Sequence, residues 1–229
     1  DSFYGHLVTL DALTNERQTR YPAMDGLASG GLLVDRSGKR FCDEELGGVH
    51  MANFLARRSD PQAFAICDAR TWDESLQGDA VMPSPKAELE KRGGTVFRAD
   101  SLGELAALVG LPGPTLTAAV DELHRFADGE IAGLPVERTL GRAWRGLREA
   151  PFVAIPVLAG ITFTMGGPLI DRRARVLTKD GGHIDGLYVV GAAAGGFDGG
   201  TERVGYAGGL SRGAVTGRAA GEHNARAPA

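Results

Sequence analysis

The chain has 229 residues, 43% of them hydrophobic and 24% charged, with a net charge of −4 and a pI near 5.8. That is enough for one large domain or two modest ones, and it excludes wholesale disorder. The acidic balance leaves no footprint for nucleic acid or an anionic membrane.

No apolar run reaches the roughly 18 residues of a membrane span. Cys42 and Cys67 are too few for a disulfide scaffold, and neither has zinc-ligand spacing, so no metal is expected. The expectation is a reduced, cytoplasmic protein. Its start, Asp1-Ser-Phe-Tyr-Gly-His6, has no signal-peptide character and no initiator methionine, the mark of an excerpt or processed piece.

In chain order, Gly30–Asp35 reads as a strand ending in the turn Arg36-Ser-Gly-Lys39. His50–Arg58 is helix-compatible, Ala63–Asp68 reads as a short buried strand, and Met82–Pro85 reads as a loop. Ser101-Leu-Gly-Glu104 fits a capping box opening a helix over Leu102–Val109, which Gly110-Leu-Pro-Gly-Pro114 stops. A second helix follows, capped by Thr115, with Leu116, Val120, Leu123 and Phe126 or Ala127 at helical spacing. From Pro151 the pattern turns to short strands, at Phe152–Val157, Ile161–Thr164, Arg175–Leu177 and Ile184–Val190, each separated by glycine-rich turns. A domain boundary is placed near 158–165, dividing residues 1–160 from 161–229.

Glycine is the unusual entry: 34 of 229 residues, 17 before residue 160 and 17 from there on, so the last 70 residues are more than twice as dense. A final helix from Gly208 carries glycines at 209, 213, 217 and 221, which four-residue spacing puts on one face. Each interior glycine costs about 1 kcal/mol of helix propensity against alanine, so the stripe asks for close packing, by protein or by a flat ligand. Before it, strand Leu187–Gly191 runs into Ala192-Ala-Ala-Gly-Gly196 and on to Tyr206-Ala-Gly-Gly209. A helix N-terminus there offers N–H donors to an anion or an electron-rich heterocycle. No G-x-G-x-x-G dinucleotide fingerprint occurs.

Gly30–Glu44, Pro151–Ala154, Thr164–Gly167, Val176-Leu177, Gly186–Gly191 with Gly195-Gly196, and Tyr206–Ser211 with Gly217–Gly221 resemble the FAD-binding fumarate reductase/succinate dehydrogenase flavoprotein family, which includes ketosteroid dehydrogenases. The resemblance implies an α+β capping domain joined to the C-terminal segment of an α/β Rossmann-like FAD-binding domain. The N-terminal half that grips the ADP part of FAD would be a separate or severed piece. It further implies that Gly166, Gly167, Gly191, Ala192, Gly195, Gly196, Gly208, Gly209, Leu210 and Ser211 bind FAD, with the amides of 208–210 at the flavin pyrimidine edge.

Family members acting on dicarboxylates are expected to clamp them with a Thr-Glu pair, an arginine and a histidine. The corresponding places here hold Ala23-Met24, Gly48 and Thr162, which argues against fumarate or succinate. A less charged, carbonyl-activated small molecule fits better, oxidised or reduced at a carbon–carbon bond. The substrate-side candidates are Tyr206, Arg203, Thr162, Thr164, Tyr4 and His6. His50, His124, His183 and His223 read as surface or helix-face residues, and the cysteines as structural. A catalytically silent, partner-binding subunit on the same scaffold is the alternative.

Overall fold

The computed structural model describes residues 3–18, 23–74, 84–139, 144, 146–195 and 209–226. The chain separates into two compact units, one spanning Gly5–Gly160 and the other built from Ile161 onward together with the first residues. Secondary structure in the larger unit runs β1 (Phe3–Thr9), α1 (Asp25–Gly30), β2 (Leu32–Asp35), α2 (Gly48–Ala56), β3 (Gln62–Cys67), α3 (Ala69–Glu74), α4 (Pro85–Arg92), β4 (Phe97–Ala99), α5 (Leu102–Val109), α6 (Gly113–Ala127) and β5 (Phe152–Thr164).

The sheet has the order β1-β5-β3-β2, with β4 also paired to β5. Its register aligns Leu32 with Ile66 and Ile66 with Ala154, and Leu33 with Ala65 and Ala65 with Ile155. Period-two alternation then sorts the side chains onto two buried faces. Leu33, Ala63, Ala65, Cys67, Val153, Ile155 and Val157 pack with Leu27, Met51, Leu55, Trp72 and Leu89 of α1 to α4. Leu32, Val34, Ile66 and Ala154 pack with Leu105, Leu116, Val120 and Leu123 of α5 and α6. Each fully buried aliphatic side chain contributes roughly 1.5–3 kcal/mol, so covering both faces is what holds the unit together.

Several local expectations change. Phe152–Thr164 is one strand of 13 residues, not two. Gly160 is not a turn; a Cβ there would lie 2.9 Å from Val8 Cγ1, so its bareness serves the approach of β1. Thr115 does not cap α6, which begins at Gly113 after Pro112, with Pro114 in its first turn. Ser101 does cap α5, its Oγ accepting from the Glu104 amide at 3.2 Å. The expected loop over Met82–Pro85 lies partly outside the described residues, and Pro85 opens α4 behind an Ser84 cap. His50 takes the helix-face place, buried on α2.

The smaller unit holds a β6 (Arg175–Leu177) and β7 (His183–Tyr188) hairpin, a short 3-10 turn at Gly191–Ala193, and the helix α7 (Gly209–Asn224). His223 ties α7 to the hairpin, with Nδ1 2.8 Å from the Tyr188 hydroxyl. Among the described residues no helix is long and apolar enough to cross a membrane.

Candidate functional site

In the smaller unit three of the glycines named from sequence, Gly167, Gly191 and Gly195, form a backbone-lined cradle, while a Cβ on Gly166 would meet nothing within 4 Å. Gly167 has φ +154, and a Cβ there would lie 2.9 Å from Gly195 N. A Cβ on Gly195 would in turn lie 2.8 Å from the Gly167 carbonyl carbon. Gly195 N donates to Pro168 O at 3.0 Å, fastening this crossing. Gly191, with φ +62, opens the 3-10 turn and comes up against Gly213 of α7, where a Cβ would be 3.6 Å from the Gly213 Cα.

The same turn is bonded to α7 through a buried hydroxyl. Gly191 N donates to Thr216 Oγ1 at 2.9 Å, and that hydroxyl donates to Arg212 O at 2.6 Å. Ala192 is exposed beside it. α7 starts at Gly209, Leu210 and Ser211, with Leu210 94% exposed, and the first-turn amides of a helix have no intrahelical acceptor. Bare backbone, left-handed glycines and helix-start donors suit a flat heterocycle with an electron-rich edge, and so fit the flavin end of FAD. Gly196, Gly208, Tyr206 and Arg203 lie outside the described residues.

Beyond Gly213 the stripe is open. A Cβ at Gly213, Gly217 or Gly221 would meet nothing within 4 Å, so the close packing expected of that face is not made by the described chain.

Tyr4 stacks on Phe163 with ring centroids 4.9 Å apart and planes 13° from parallel. Thr162 is exposed, and strand alternation puts it on the face opposite Phe163. Thr164 ends the same strand.

In the larger unit the Arg40-Phe-Cys-Asp-Glu44 stretch is a scaffold. The Glu44 side chain is fully buried; Oε1 accepts from the Leu33 amide at 3.1 Å and Arg40 Nε at 2.9 Å, and Oε2 pairs with Arg40 at 2.6 Å and Arg138 at 2.9 Å. Asp43 Oδ2 accepts from Thr139 N at 3.0 Å and its hydroxyl at 2.8 Å. The motif therefore lashes the segment around 136–139 to the sheet. Cys42 and Cys67 are buried free thiols, held protonated by burial first of all.

His6, half-buried on β1, has Nδ1 2.5 Å from Asp25 Oδ2. That hydrogen bond raises its pKa, against burial and with help from the Asp25 charge. Asp25 was not among the residues singled out from sequence; no local pattern links positions 19 apart. An open groove of about 580 Å3, lined by Leu10, Phe64, Phe97, Leu108 and Pro156 among others, holds none of the substrate-side or FAD-binding candidates. Among the described residues no group of His, Cys, Asp and Glu is arranged to hold a metal ion.

A model of the FAD binding domain matches residues 16–206. The chain is 33% identical to the NADH:acrylate oxidoreductase of Vibrio harveyi over 77% of its own length and 17% of that protein's. It is 30% identical to a cytochrome fumarate reductase of Shewanella frigidimarina, over 86% of this chain and 32% of the other. A 3-ketosteroid delta1-dehydrogenase from Sterolibacterium denitrificans, solved with 1,4-androstadiene-3,17-dione, superposes over 97% of this chain and 43% of that one, with a TM-score of 0.67 and 22% identity. The chain thus spans less than half the length of each of these proteins. The mixed α/β architecture agrees with a partial FAD-binding fold, and the relatives are FAD-dependent oxidoreductases acting on carbon–carbon bonds. From the matched span, the relatives and the glycine cradle together, this chain belongs to the FAD-binding flavoprotein family of the fumarate reductases and ketosteroid dehydrogenases.

Proposed function

We propose that the chain is the capping domain (residues 1–160) and C-terminal FAD-domain segment (161–229) of an oxidoreductase that works on a carbon–carbon bond next to a carbonyl. The phosphate-gripping half of the FAD site is then supplied by an N-terminal segment or partner chain. The observation that carries the reading is the cradle of Gly167, Gly191 and Gly195 beside the start of α7. A second observation supports the missing half. Seven of the eleven exposed large apolar side chains among the described residues, Ile161, Leu169, Ile184, Leu187, Val190, Leu210 and Val215, belong to the smaller unit. Such concentration marks a surface built to be covered.

When bound, FAD supplies the hydride chemistry. The chain's own share is to orient and tune it. The amides of Gly208, Gly209 and Leu210 would donate toward the pyrimidine edge, with Ser211 beside them, and the positive end of α7 would favour negative charge there. Gly166, Gly167, Gly191, Ala192, Gly195 and Gly196 would line the ring with bare backbone and, at Ala192, a single methyl group. Tyr206 and Arg203 polarise the substrate carbonyl, and His6, Tyr4, Thr162 and Thr164 contribute to substrate recognition. The substrate is a small molecule of low charge rather than fumarate or succinate, because Ala23, Met24 and Gly48 offer a carboxylate no charge-assisted partner. The protein works in the cytoplasm, without nucleic acid.

Visible absorbance tests the reading: the chain purified with its N-terminal half should carry the flavin bands, and a carbonyl-activated substrate should bleach them or reoxidise the reduced form. A colourless complex that takes up no added FAD points to a silent, partner-binding module instead.

A further inference from the structure

His6 and Asp25 form a sheltered acid–base pair in the larger unit. Asp25 opens α1, sends Oδ1 to the Leu7 amide at 2.8 Å and Oδ2 to His6 Nδ1 at 2.5 Å. Gly48, the first residue of α2, lies against the same carboxylate; a Cβ there would overlap it. Three elements thus locate one side chain. The His6 and Asp25 side chains are 28% and 21% exposed, protected from bulk water yet reachable.

The chemistry of the contact assigns the proton. An ionised carboxylate only accepts hydrogen bonds, so the nitrogen facing it is the one that carries hydrogen. With Nδ1 committed, gain and loss of a proton by the ring fall to Nε2.

We propose that Asp25 is a positioning residue that locks His6 with its proton on Nδ1 and so commits Nε2 to proton exchange or hydrogen bonding with the carbonyl-activated substrate. Gly48 is the vacancy that allows it, since any larger residue displaces the carboxylate. The inference rests on reading His6 as a substrate-side residue. It deepens that reading by naming the atom that meets the substrate and the residue that sets its state.

Nitrogen-15 NMR of the histidine rings in the 229-residue chain tests this with neither flavin nor substrate. At a pH where His6 is neutral, Nδ1 should resonate as a protonated nitrogen and Nε2 as an unprotonated one. Asp25→Ala and Gly48→Ala should each return His6 to the mixture typical of a free histidine, with far-UV circular dichroism unchanged. Wild-type His6 protonated on Nε2 overturns the proposal even if neither variant folds; so does a wild-type tautomer that survives Asp25→Ala. In the flavin-loaded assembly, Asp25→Ala should lower kcat roughly 100-fold with KM within about threefold, and an unchanged kcat would refute the substrate role. Failure of the assembly to take up flavin sinks the oxidoreductase reading alone, because the NMR result stands without it.

Discussion

Gly167 and Gly195 pass backbone against backbone, so near that a Cβ on either would lie within 3 Å of the other's main chain. The crossing holds the 3-10 turn at Gly191–Ala193 beside α7, where the flavin edge is proposed to sit. Gly195→Ala forces the two segments apart and should cost about 1–3 kcal/mol. Urea denaturation of the chain measures the loss, and flavin uptake by the assembly should fall with it. Wild-type stability in the variant would contradict so close a crossing.

Glu44 offers a second test, within the larger unit. It is the shared counter-charge of Arg40 and Arg138, with no solvent exposure. Glu44→Gln leaves two buried guanidinium groups short of a partner and should cost about 3–5 kcal/mol. Breaking the exposed Arg70–Glu74 pair by Arg70→Ala should change stability by less than about 1 kcal/mol. Chemical denaturation of both variants provides the comparison, and similar losses would mean that the buried network is not what anchors the 136–139 segment.

Acid should loosen the segment before Pro151 through His124. Its Nε2 accepts the Leu147 amide at 3.2 Å, a role only the neutral ring can fill. Burial, followed by the charge of Arg148, lowers its pKa from 6.5, with Asp121, Asp128 and Asp68 opposing. The unfolded chain therefore binds this proton more readily than the folded one. The contribution to stability is fully present above about pH 6.5 and is lost as pH falls below it. His6 has the opposite sign, contributing below its unfolded pKa and losing the contribution as pH rises through the raised value. Stability measured from pH 5 to 8 in His124→Gln should show a shallower decline on the acid side than wild type. An unaltered acid limb would remove His124 from the account.

The glycine stripe separates the chain alone from the assembly. At Gly217, inside α7, a Cβ would meet nothing within 4 Å. Gly217→Ala should therefore stabilise the chain by up to about 1 kcal/mol through helix propensity. If the face is reserved for the N-terminal half, the same substitution should weaken association with it. Titration of labelled chain with that half, beside thermal melts of the chain, checks both effects; tighter or unchanged association would show that the bare face is not used.

Local signals were legible where one physical rule decided the outcome. The Ser101 cap, the Leu116, Val120 and Leu123 face, and the helix carrying the stripe all follow from hydrogen-bond or periodicity rules. Where two rules competed, the reading failed. Gly160 looked like a turn because glycine often is one, but it serves strand proximity. Pro114 sets the start of α6 more firmly than a Thr115 cap could, since proline is preorganised for a first helical turn. α4 escaped notice because Leu89 is its sole buried apolar residue, which leaves no periodic face. His50 read as a surface or helix-face residue, and α2 settles it on a buried helix face with Met51, Ala52, Asn53 and Leu55. In the site, glycine density pointed to the Gly167, Gly191 and Gly195 cradle, whereas Asp25 could be found only once the fold had brought it to His6 and Gly48.

The central claim is that this chain completes an FAD site, and flavin retention measures it most directly. The chain should be colourless alone and should hold FAD, with visible absorbance bands surviving gel filtration, once its N-terminal half is supplied. The double variant Gly167→Val with Gly195→Val should abolish that retention. A wild-type assembly that stays colourless with FAD in excess would contradict the account.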